Sequence, residues 1–335
     1  MKQIRQSLPY YGVIGLLHLL GFLGLAIACR HYPGFWAIGI LAYMLGLRHA
    51  FDADHIAAID NTVRKLIQQD QKTVGVGFYF SLGHSTVVLL MSITVGLSIN
   101  WVSAHLPVLQ KVGGLVGSFV SGIFLILVAI FNLVVLWHLV KSIRQLHNKF
   151  TAVQNLDDLL APKGVLTTLL KPLFKFIKHS WQMYPIGFLF GLGFDTATEI
   201  TLLALTAQSS QRNLPLIGII ALPIIFTAGM SLMDTTDAVM MSGAYKWAFD
   251  TPIRKAYYNI VITSVSVLAA ISIGVVELLQ VTGNLFNFKG LFWHWLQAVD
   301  FNWLGFGLVA AFMLLWLVAY GIWRSVIAKK YDTPY

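Results

Sequence analysis

Long apolar stretches separated by shorter polar ones dominate the chain. A helix needs about 20 apolar residues to cross a hydrocarbon core about 30 Å thick. Eight stretches have about this length or more: 9–29, 35–58, 74–98, 114–140, 183–207, 214–240, 257–281 and 303–323. The pattern predicts an all-α integral membrane protein with about eight transmembrane helices, which form one polytopic domain over residues 1–335.

The composition supports a membrane protein and excludes several other classes. Hydrophobic residues make up 57% of the 335 residues, charged residues only 11%, and the mean hydropathy is +0.73. Soluble domains carry about 25% charged residues, so a cytosolic enzyme, a secreted domain and a disordered chain are all excluded. The single cysteine, Cys29, rules out an internal disulfide and a thiolate metal cluster within one chain. Histidines and carboxylates would have to carry any metal chemistry.

The basic residues predict the orientation in the membrane. The net charge is +9, but the positive residues are scattered among loops, so no nucleic-acid partner is expected. Of the 23 basic residues, Arg48 lies within the second segment and 18 fall on the side of both termini; the other side has Arg30, Lys111, Arg212 and Lys289. Because positive loops stay inside, both termini are predicted to be cytoplasmic.

The predicted orientation also indicates on which side of the membrane each of the two long connections lies. The basic stretch 141–182 is predicted to be a cytoplasmic linker between helices 4 and 5, with an interfacial helix at 164–178. The aromatic-rich stretch 282–302 is predicted to be an outside loop whose rings suit the headgroup region. The lipid bilayer is therefore the expected surroundings of the chain.

Acidic residues occur within the apolar segments, where they are costly. Half of the 14 acidic residues lie in or at the ends of these segments: Asp52, Asp54, Asp60, Asp195, Glu199, Asp234 and Asp237. An aspartate at a helix centre costs about 2.5–3.5 kcal/mol, so it usually marks an ion path, a proton relay or a buried pair. Asp60 is interpreted as a helix-end charge that faces the headgroups. The other six lie beside further polar residues and predict a functional site.

The first polar cluster places two histidines and two aspartates within seven residues. It reads Arg48-His49-Ala50-Phe51-Asp52-Ala53-Asp54-His55-Ile56. Histidine and carboxylate ligands suit divalent first-row metals. On a straight helix, His49, Asp52 and His55 occupy a sector of about 120°. Asp54 would point away from this sector. Either the helix therefore unwinds here, or Asp54 does not bind the metal itself and instead orients one of the ligands. Arg48 is expected to neutralise one carboxylate.

Three further clusters carry candidate ligands. His84 lies in the third segment beside Gly83, where small residues favour close helix contacts. Glu199 follows Asp195 by four residues in the fifth segment, and Asp237 follows Asp234 by three in the sixth, so each pair shares a helix face. Two carboxylates on one face in lipid repel each other unless a cation or a proton lies between them. These residues join the first cluster as predicted metal ligands.

An internal repeat connects the clusters. Residues 51–53 (FDA) resemble 194–196 (FDT), and residues 80–85 (FSLGHS) resemble 226–231 (FTAGMS). The second and third segments therefore match the fifth and sixth. An offset of three helices reverses direction across the membrane, which is typical of an inverted repeat with a site at its interface.

The four clusters together resemble a known family. The first resembles the H-x4-D-H signature of the nickel/cobalt transporter (NiCoT) family of membrane permeases. The clusters around His84, Asp195 to Glu199 and Asp234 to Asp237 resemble the family's further motifs in the same order. By position His49, Asp54 and His55 match the signature, and Asp52 lies within it. Ala238 departs from the glycine that more often follows the last aspartate.

The resemblance implies a secondary transporter that takes up Ni²⁺ or Co²⁺ across the cytoplasmic membrane, not an enzyme. The metal ion would be the substrate, without a resident cofactor or an obligatory ATPase subunit, and the sequence contains no Walker A motif. A related efflux permease is an alternative, although the 141–182 linker holds only His147 and His179. A membrane metallohydrolase with Glu199 as base is another.

Overall fold

Eleven α-helices account for most of the residues that the structure describes. The computed structural model describes residues 2–30, 32–97, 99–147, 177–193, 197–211, 215–249, 252–299 and 301–322. The helices are α1 (Lys2–Cys29), α2 (Phe35–His49), α3 (Ala53–Gln68), α4 (Val76–Leu97), α5 (Ile99–His147), α6 (Met183–Gly191), α7 (Ala197–Gln211), α8 (Leu216–Phe249), α9 (Pro252–Leu285), α10 (Leu291–Gln297) and α11 (Phe301–Ile322). A short 3₁₀ turn, Ser180–Gln182, precedes α6.

The helix lengths confirm an all-α membrane protein. Within the described ranges five helical stretches are long and apolar enough to cross a bilayer: Arg5–Cys29, Val76–Val95, Lys111–Val134, Leu216–Tyr245 and Thr263–Leu285. Two shorter apolar helical stretches, Phe35–His49 and Trp303–Leu314, accompany them. Large apolar side chains such as Leu19, Leu268 and Leu314 are exposed on the outer surface, as lipid contact requires.

The second and fifth predicted segments are each broken in two. The sequence predicted one span over 35–58. In the structure α2 ends at His49, and a separate helix, α3, begins at Ala53. Asp52 has an extended backbone, with φ −64° and ψ 142°, and occupies the N-cap position of α3. In the fifth segment, α6 ends at Gly191 and the next helix, α7, begins at Ala197. Apolar periodicity cannot reveal such a break, because the residues on both sides are still suited to a helix.

Helix α3 is polar but buried, which corrects two expectations. It continues ten residues beyond the predicted end at position 58, to Gln68, and lies against α5, α8, α9 and α11. Asp60 does not face headgroups: it is fully buried and contacts the Arg64 guanidinium at 3.4 Å. Tyr245 of α8 also donates a hydrogen bond to Asp60. Arg64 and Lys65 lie between the predicted segments 35–58 and 74–98, where a loop is expected, yet both are buried side chains within α3.

Arg64 connects three helices through hydrogen bonds. Its guanidinium donates to the hydroxyl oxygens of Thr263 at 2.6 Å and Ser266 at 2.5 Å, both on α9. It also donates to Tyr245 on α8 and packs over that ring. Because a buried guanidinium is costly unless its charge is balanced and its donors are paired, these partners of the two terminal nitrogens explain how α3 carries an arginine inside the protein.

Matched glycine contacts relate the two halves of the chain. Gly46 of α2 lies against the Phe226 carbonyl of α8, and Gly187 of α6 lies against the Phe80 carbonyl of α4. A Cβ atom at either glycine would overlap that oxygen. Phe80 and Phe226 are equivalent in the repeat read from the sequence. Each broken helix therefore packs closely against the unbroken helix of the other half, as expected for the predicted repeat.

Neighbouring glycines repeat the same arrangement. Gly83 faces the Tyr184 carbonyl and the Phe188 amide of α6, and Gly229 faces the Tyr43 carbonyl and the Leu47 amide of α2. Tyr43 and Tyr184 are separated by the same 141 positions as Gly46 and Gly187. These contacts place the ends of α2 and α6, and therefore both helix breaks, in the middle of the helix bundle.

The two long connections differ in part from the prediction. Helix α5 continues to His147, inside the predicted linker 141–182. Residues 148–176, with most of the predicted interfacial helix, lie outside the described residues. The 282–302 stretch is not entirely a loop, because it contains α10. Its aromatic residues include Phe286 and Trp295, whose side chains are 67% and 64% exposed, as a headgroup-facing surface requires.

Candidate metal centre

Three imidazole rings form a buried triangle at the break in the second segment. His49 is the last residue of α2, His55 lies in the first turn of α3, and His84 lies in the middle of α4. The ring centroids are 4.6 Å apart for His49–His55, 4.7 Å for His49–His84 and 4.9 Å for His55–His84. One nitrogen of each ring lies within 4.8 Å of the other two, and each residue is at most 3% exposed. Three imidazoles this close match the ligand set of a divalent transition metal.

His49 is oriented by two oxygen atoms. Its Nδ1 lies 2.9 Å from Asp52 Oδ2 and 3.0 Å from Thr198 Oγ1. Because an ionised carboxylate can only accept a hydrogen bond, Nδ1 carries the proton in the neutral ring. The Nε2 lone pair then faces inward, 2.9 Å from His84 Nε2. The break at Asp52 makes this contact geometrically available, since the carboxylate turns back toward the end of α2.

His55 is oriented by a carboxylate from the sixth segment. Its Nδ1 lies 3.3 Å from Asp234 Oδ2 on α8. Its Nε2 is buried without a hydrogen-bond partner. A histidine that donates from one nitrogen to a carboxylate presents the other nitrogen as a metal ligand. His55 and Asp234 have this arrangement.

His84 approaches a carboxylate from the fifth segment. Its Nε2 lies 2.8 Å from Glu199 Oε1 of α7 and also faces His49 Nε2. One Nε2–H proton therefore lies among three atoms that can all act as metal ligands. The Nδ1 atom of His84 is buried without a hydrogen-bond partner. His84 thus has Nε2 at the centre of the cluster, and its Nδ1 atom is a second possible metal ligand.

Several buried oxygen atoms beside the rings also lack partners. Among the described residues, Asp52 Oδ1 and Asp234 Oδ1 are buried without a hydrogen bond. Leaving a charged oxygen buried and unpaired is costly, because desolvation is not offset. A bound divalent cation would satisfy both the carboxylates and the free nitrogens. The donor set is nitrogen and oxygen, which suits Ni²⁺, Co²⁺, Zn²⁺ or Cu²⁺ better than Mg²⁺ or Ca²⁺.

Phenylalanine rings cover the cluster on two sides. Phe80 of α4 lies edge-on to the His55 ring at a centroid distance of 4.8 Å. Phe226 of α8 lies 5.7 Å from the His49 ring. Both phenylalanines are fully buried. The histidine cluster is therefore enclosed by apolar rings, and the electrostatic interactions inside it are strong.

The structure brings together most of the residues predicted from the sequence. Six of the nine lie in direct contact within the cluster: His49, Asp52, His55, His84, Glu199 and Asp234. Asp54 is partly buried in the first turn of α3, where its charge acts on His49. Asp195 lies outside the described residues. Asp237 lies one turn beyond Asp234 on α8, and its Oδ2 atom is buried without a hydrogen-bond partner among the described residues. The roles of all nine residues as metal ligands stay predictions.

Two details differ from the straight-helix interpretation. The backbone unwinds between His49 and Ala53, which is the first of the two alternatives that the sequence left open. Arg48 is exposed, and among the described residues it forms no ion pair with Asp52, whose carboxylate contacts His49 instead. The expected neutralisation of a carboxylate by Arg48 is therefore wrong. On the broken backbone Arg48 points outward while His49 points into the bundle.

Sequence reasoning missed Thr198 as part of the site. This residue precedes Glu199 and is fully buried, with its hydroxyl on His49. Its signal was present in the fifth-segment motif, where a threonine lies between two predicted carboxylate ligands. A hydroxyl in an apolar segment is common at helix contacts, so its type alone did not distinguish a site residue from a packing residue.

The fold and site define a class of protein: a multi-pass membrane protein with a buried histidine and carboxylate cluster at a broken helix. Residues 35–322 match the NicO family, described as "High-affinity nickel-transport protein". The chain belongs to this family. No solved structure matches it.

Three relatives illustrate the range of the family. The chain is 50% identical to the nickel transporter NixA of Staphylococcus aureus, over 95% of this chain and 94% of the relative. It is 46% identical to the high-affinity nickel-transport protein NixA of Helicobacter pylori, over 96% and 98% of the two chains. It is also 38% identical to the cobalt transport protein NhlF of Rhodococcus rhodochrous, over 93% and 90%.

Proposed function

We propose that this protein takes up Ni²⁺, Co²⁺ or both across the cytoplasmic membrane through the cluster of His49, His55 and His84. The observation that carries the proposal is the contact of three buried imidazoles within a membrane-spanning bundle. Relatives named as nickel and cobalt transporters support this substrate class. The efflux and metallohydrolase alternatives gain no support from these comparisons.

The cluster replaces the hydration shell of the ion. A divalent cation loses its water ligands when it enters an apolar bundle, and nitrogen and carboxylate ligands must compensate. The Nε2 atoms of His49 and His55 supply neutral ligands. The carboxylates of Asp52, Glu199 and Asp234 balance the charge. His84 would bind the cation through Nε2 in the tautomer that carries its proton on Nδ1, the atom that has no hydrogen-bond partner, and its ring would then be a third neutral ligand.

The membrane potential is sufficient to drive uptake. An inside-negative potential contributes about 2.3 kcal/mol per charge per 100 mV, hence about 4.6 kcal/mol for a divalent ion. That free energy corresponds to a concentration ratio of about 2,000 without nucleotide hydrolysis. Uptake without an ATPase subunit therefore requires no further energy source.

The transport test uses purified protein in liposomes. With an inside-negative potassium diffusion potential and no ATP, the vesicles should accumulate Ni²⁺ or Co²⁺, while Zn²⁺ and Mn²⁺ define the selectivity. His49→Ala and His55→Ala should abolish accumulation, since each removes one ligand that water cannot replace in the bundle. His18→Ala is the matched control, because the His18 ring contacts Tyr43 rather than the cluster. Full uptake by a His49→Ala or His55→Ala variant, or a requirement for hydrolysable ATP, would contradict the proposal.

The proposed uptake direction rests on both termini being cytoplasmic. Cysteine labelling in intact cells tests this orientation in a Cys29→Ser background. A cysteine at position 289, which is exposed after α9, should react with an impermeant thiol reagent. A cysteine at position 163 in the basic linker should be protected. The reverse pattern would invert the orientation.

A further inference from the structure

Two phenylalanines that are equivalent in the repeat cover the histidine cluster on different sides. Phe80 lies against His55, and Phe226 lies against His49. Both are fully buried, and each belongs to a long apolar helix that packs against the broken helix of the other half. Sequence equivalence and equivalent placement in the structure are separate observations, and both single out this pair.

The two rings face opposite membrane sides. Phe226 is in contact with α2 through Gly46, and Phe80 is in contact with α6 through Gly187. In the predicted topology the α2–α3 pair, α4 and α5 each cross the membrane once, so α6 enters from the side opposite to α2. Each half-helix runs from its own membrane surface to the break. Phe226 therefore lies toward the membrane surface at which α2 begins, and Phe80 lies toward the surface at which α6 begins.

We propose that Phe226 and Phe80 are the two gates of the transport pathway, Phe226 toward the outer surface and Phe80 toward the cytoplasm. The inference rests on the proposed transport function. A binding site open to both sides at once would let ions flow without control, so a transporter needs at least one closed barrier at every moment. An apolar ring excludes water from a narrow passage and blocks hydrated ions.

The glycine contacts explain how a gate of this kind moves. Gly46 and Gly187 allow each half-helix to touch the backbone of the gating phenylalanine. A small shift of α2 along α8 therefore moves Phe226 relative to His49 directly. Helix α6 packs in the same way against the Phe80 carbonyl, so a shift of α6 along α4 changes the backbone contact that supports the Phe80 ring. The bundle thus has two close contacts between a half-helix and an unbroken helix, Gly46 with Phe226 and Gly187 with Phe80, one on each side of the site.

Side-specific cysteine labelling tests the gates one at a time. Thr198→Cys in a Cys29→Ser background places a thiol beside His49, at the cluster. An impermeant thiol reagent is applied to intact cells for the outer side and to inverted membrane vesicles for the cytoplasmic side. Phe226→Ala should accelerate labelling only from outside, and Phe80→Ala only from the cytoplasm. Phe35→Ala, which removes a buried ring from the α1–α2–α8 core, should change neither rate.

Ion leakage tests the two gates in series. Liposomes that contain the double variant Phe80→Ala/Phe226→Ala should pass Mg²⁺ several-fold faster than the wild type, whereas each single variant should stay closed to Mg²⁺. Phe35→Ala/Phe124→Ala also removes two buried rings and should stay closed. Phe80→Leu/Phe226→Leu keeps most of the volume and should also stay closed.

The outcomes separate the gates from simple packing residues. Labelling that rises from the same side in both single variants would overturn the proposal. So would a single variant that leaks as fast as the double variant, or a control pair that leaks equally. If the double variant does not fold, the labelling of the single variants decides alone. Labelling needs no metal, so a wild type that fails to transport Ni²⁺ and Co²⁺ would refute the proposed function without deciding the gates.

Discussion

His55 Nδ1 lies 3.3 Å from Asp234 Oδ2, although the two residues are 179 positions apart. The contact joins the start of α3 to the middle of α8, and so joins the first half of the repeat to the second. It fixes which His55 nitrogen carries the proton and leaves the other toward the cluster. Asp234, which the sequence predicts as a metal ligand, is therefore in contact with the His55 ring and placed to orient it.

Asp234→Asn tests this role. The asparagine amide oxygen can still accept from His55 Nδ1, but the negative charge that raises the basicity of the ring is lost. Such changes typically lower metal affinity about 10–100-fold. Ni²⁺ titration of the purified protein measures the effect. Asp70→Asn is the control, because Asp70 is exposed and has a positive φ that asparagine also tolerates. Wild-type affinity in Asp234→Asn would show that the contact does not support binding.

The hydroxyl of Thr198 should contribute less than the Asp234 carboxylate. Thr198→Val keeps the shape of the side chain but removes the hydrogen bond to His49 Nδ1, while Asp52 remains in contact with the same atom. The loss should be about 1 kcal/mol, or about fivefold in Ni²⁺ affinity. Thr198→Ser restores the hydroxyl and should bind nearly as well as the wild type. Equal affinities for the valine and serine variants would exclude a positioning role for the hydroxyl.

Gly46 and Gly187 should tolerate no side chain. An alanine Cβ at either position overlaps a carbonyl oxygen of the facing helix, so the half-helix must move away. Overpacking of this kind costs about 1–3 kcal/mol and displaces the end of α2 or α6. Metal uptake by Gly46→Ala or Gly187→Ala should be largely lost. Gly12→Ala and Gly15→Ala are controls, since no atom lies within 4 Å of a Cβ at those positions. Equal uptake by the two sets would refute the close-contact role.

The buried pair of Asp60 and Arg64 should matter for stability. Arg64→Met leaves the Asp60 carboxylate buried without its ion partner, which typically costs about 3–5 kcal/mol. The thermal unfolding midpoint in detergent should fall accordingly. Arg48→Met is the matched control, because Arg48 is exposed. The double variant Asp60→Asn/Arg64→Met should recover part of the loss. An unchanged midpoint for Arg64→Met would show that the pair contributes nothing.

The amino-acid sequence by itself determined the class of the protein and the chemistry of its site. Apolar segment length decides whether a chain enters a membrane, and this property is local. The unusual polar residues in those segments, among them His49, His55 and His84, could be recognised because their cost in lipid is high wherever they lie. The repeat between residues 80–85 and 226–231 was also visible without coordinates.

Only the tertiary structure decided which polar groups meet and which oxygen orients which ring. The break at Asp52, the burial of Asp60 and the contact of Thr198 with His49 each depend on helices distant in sequence. Hydrophobic periodicity reports which residues avoid water, but a buried polar helix such as α3 is stabilised by partners on other helices. Those partners are fixed by packing, and packing is a property of the whole fold.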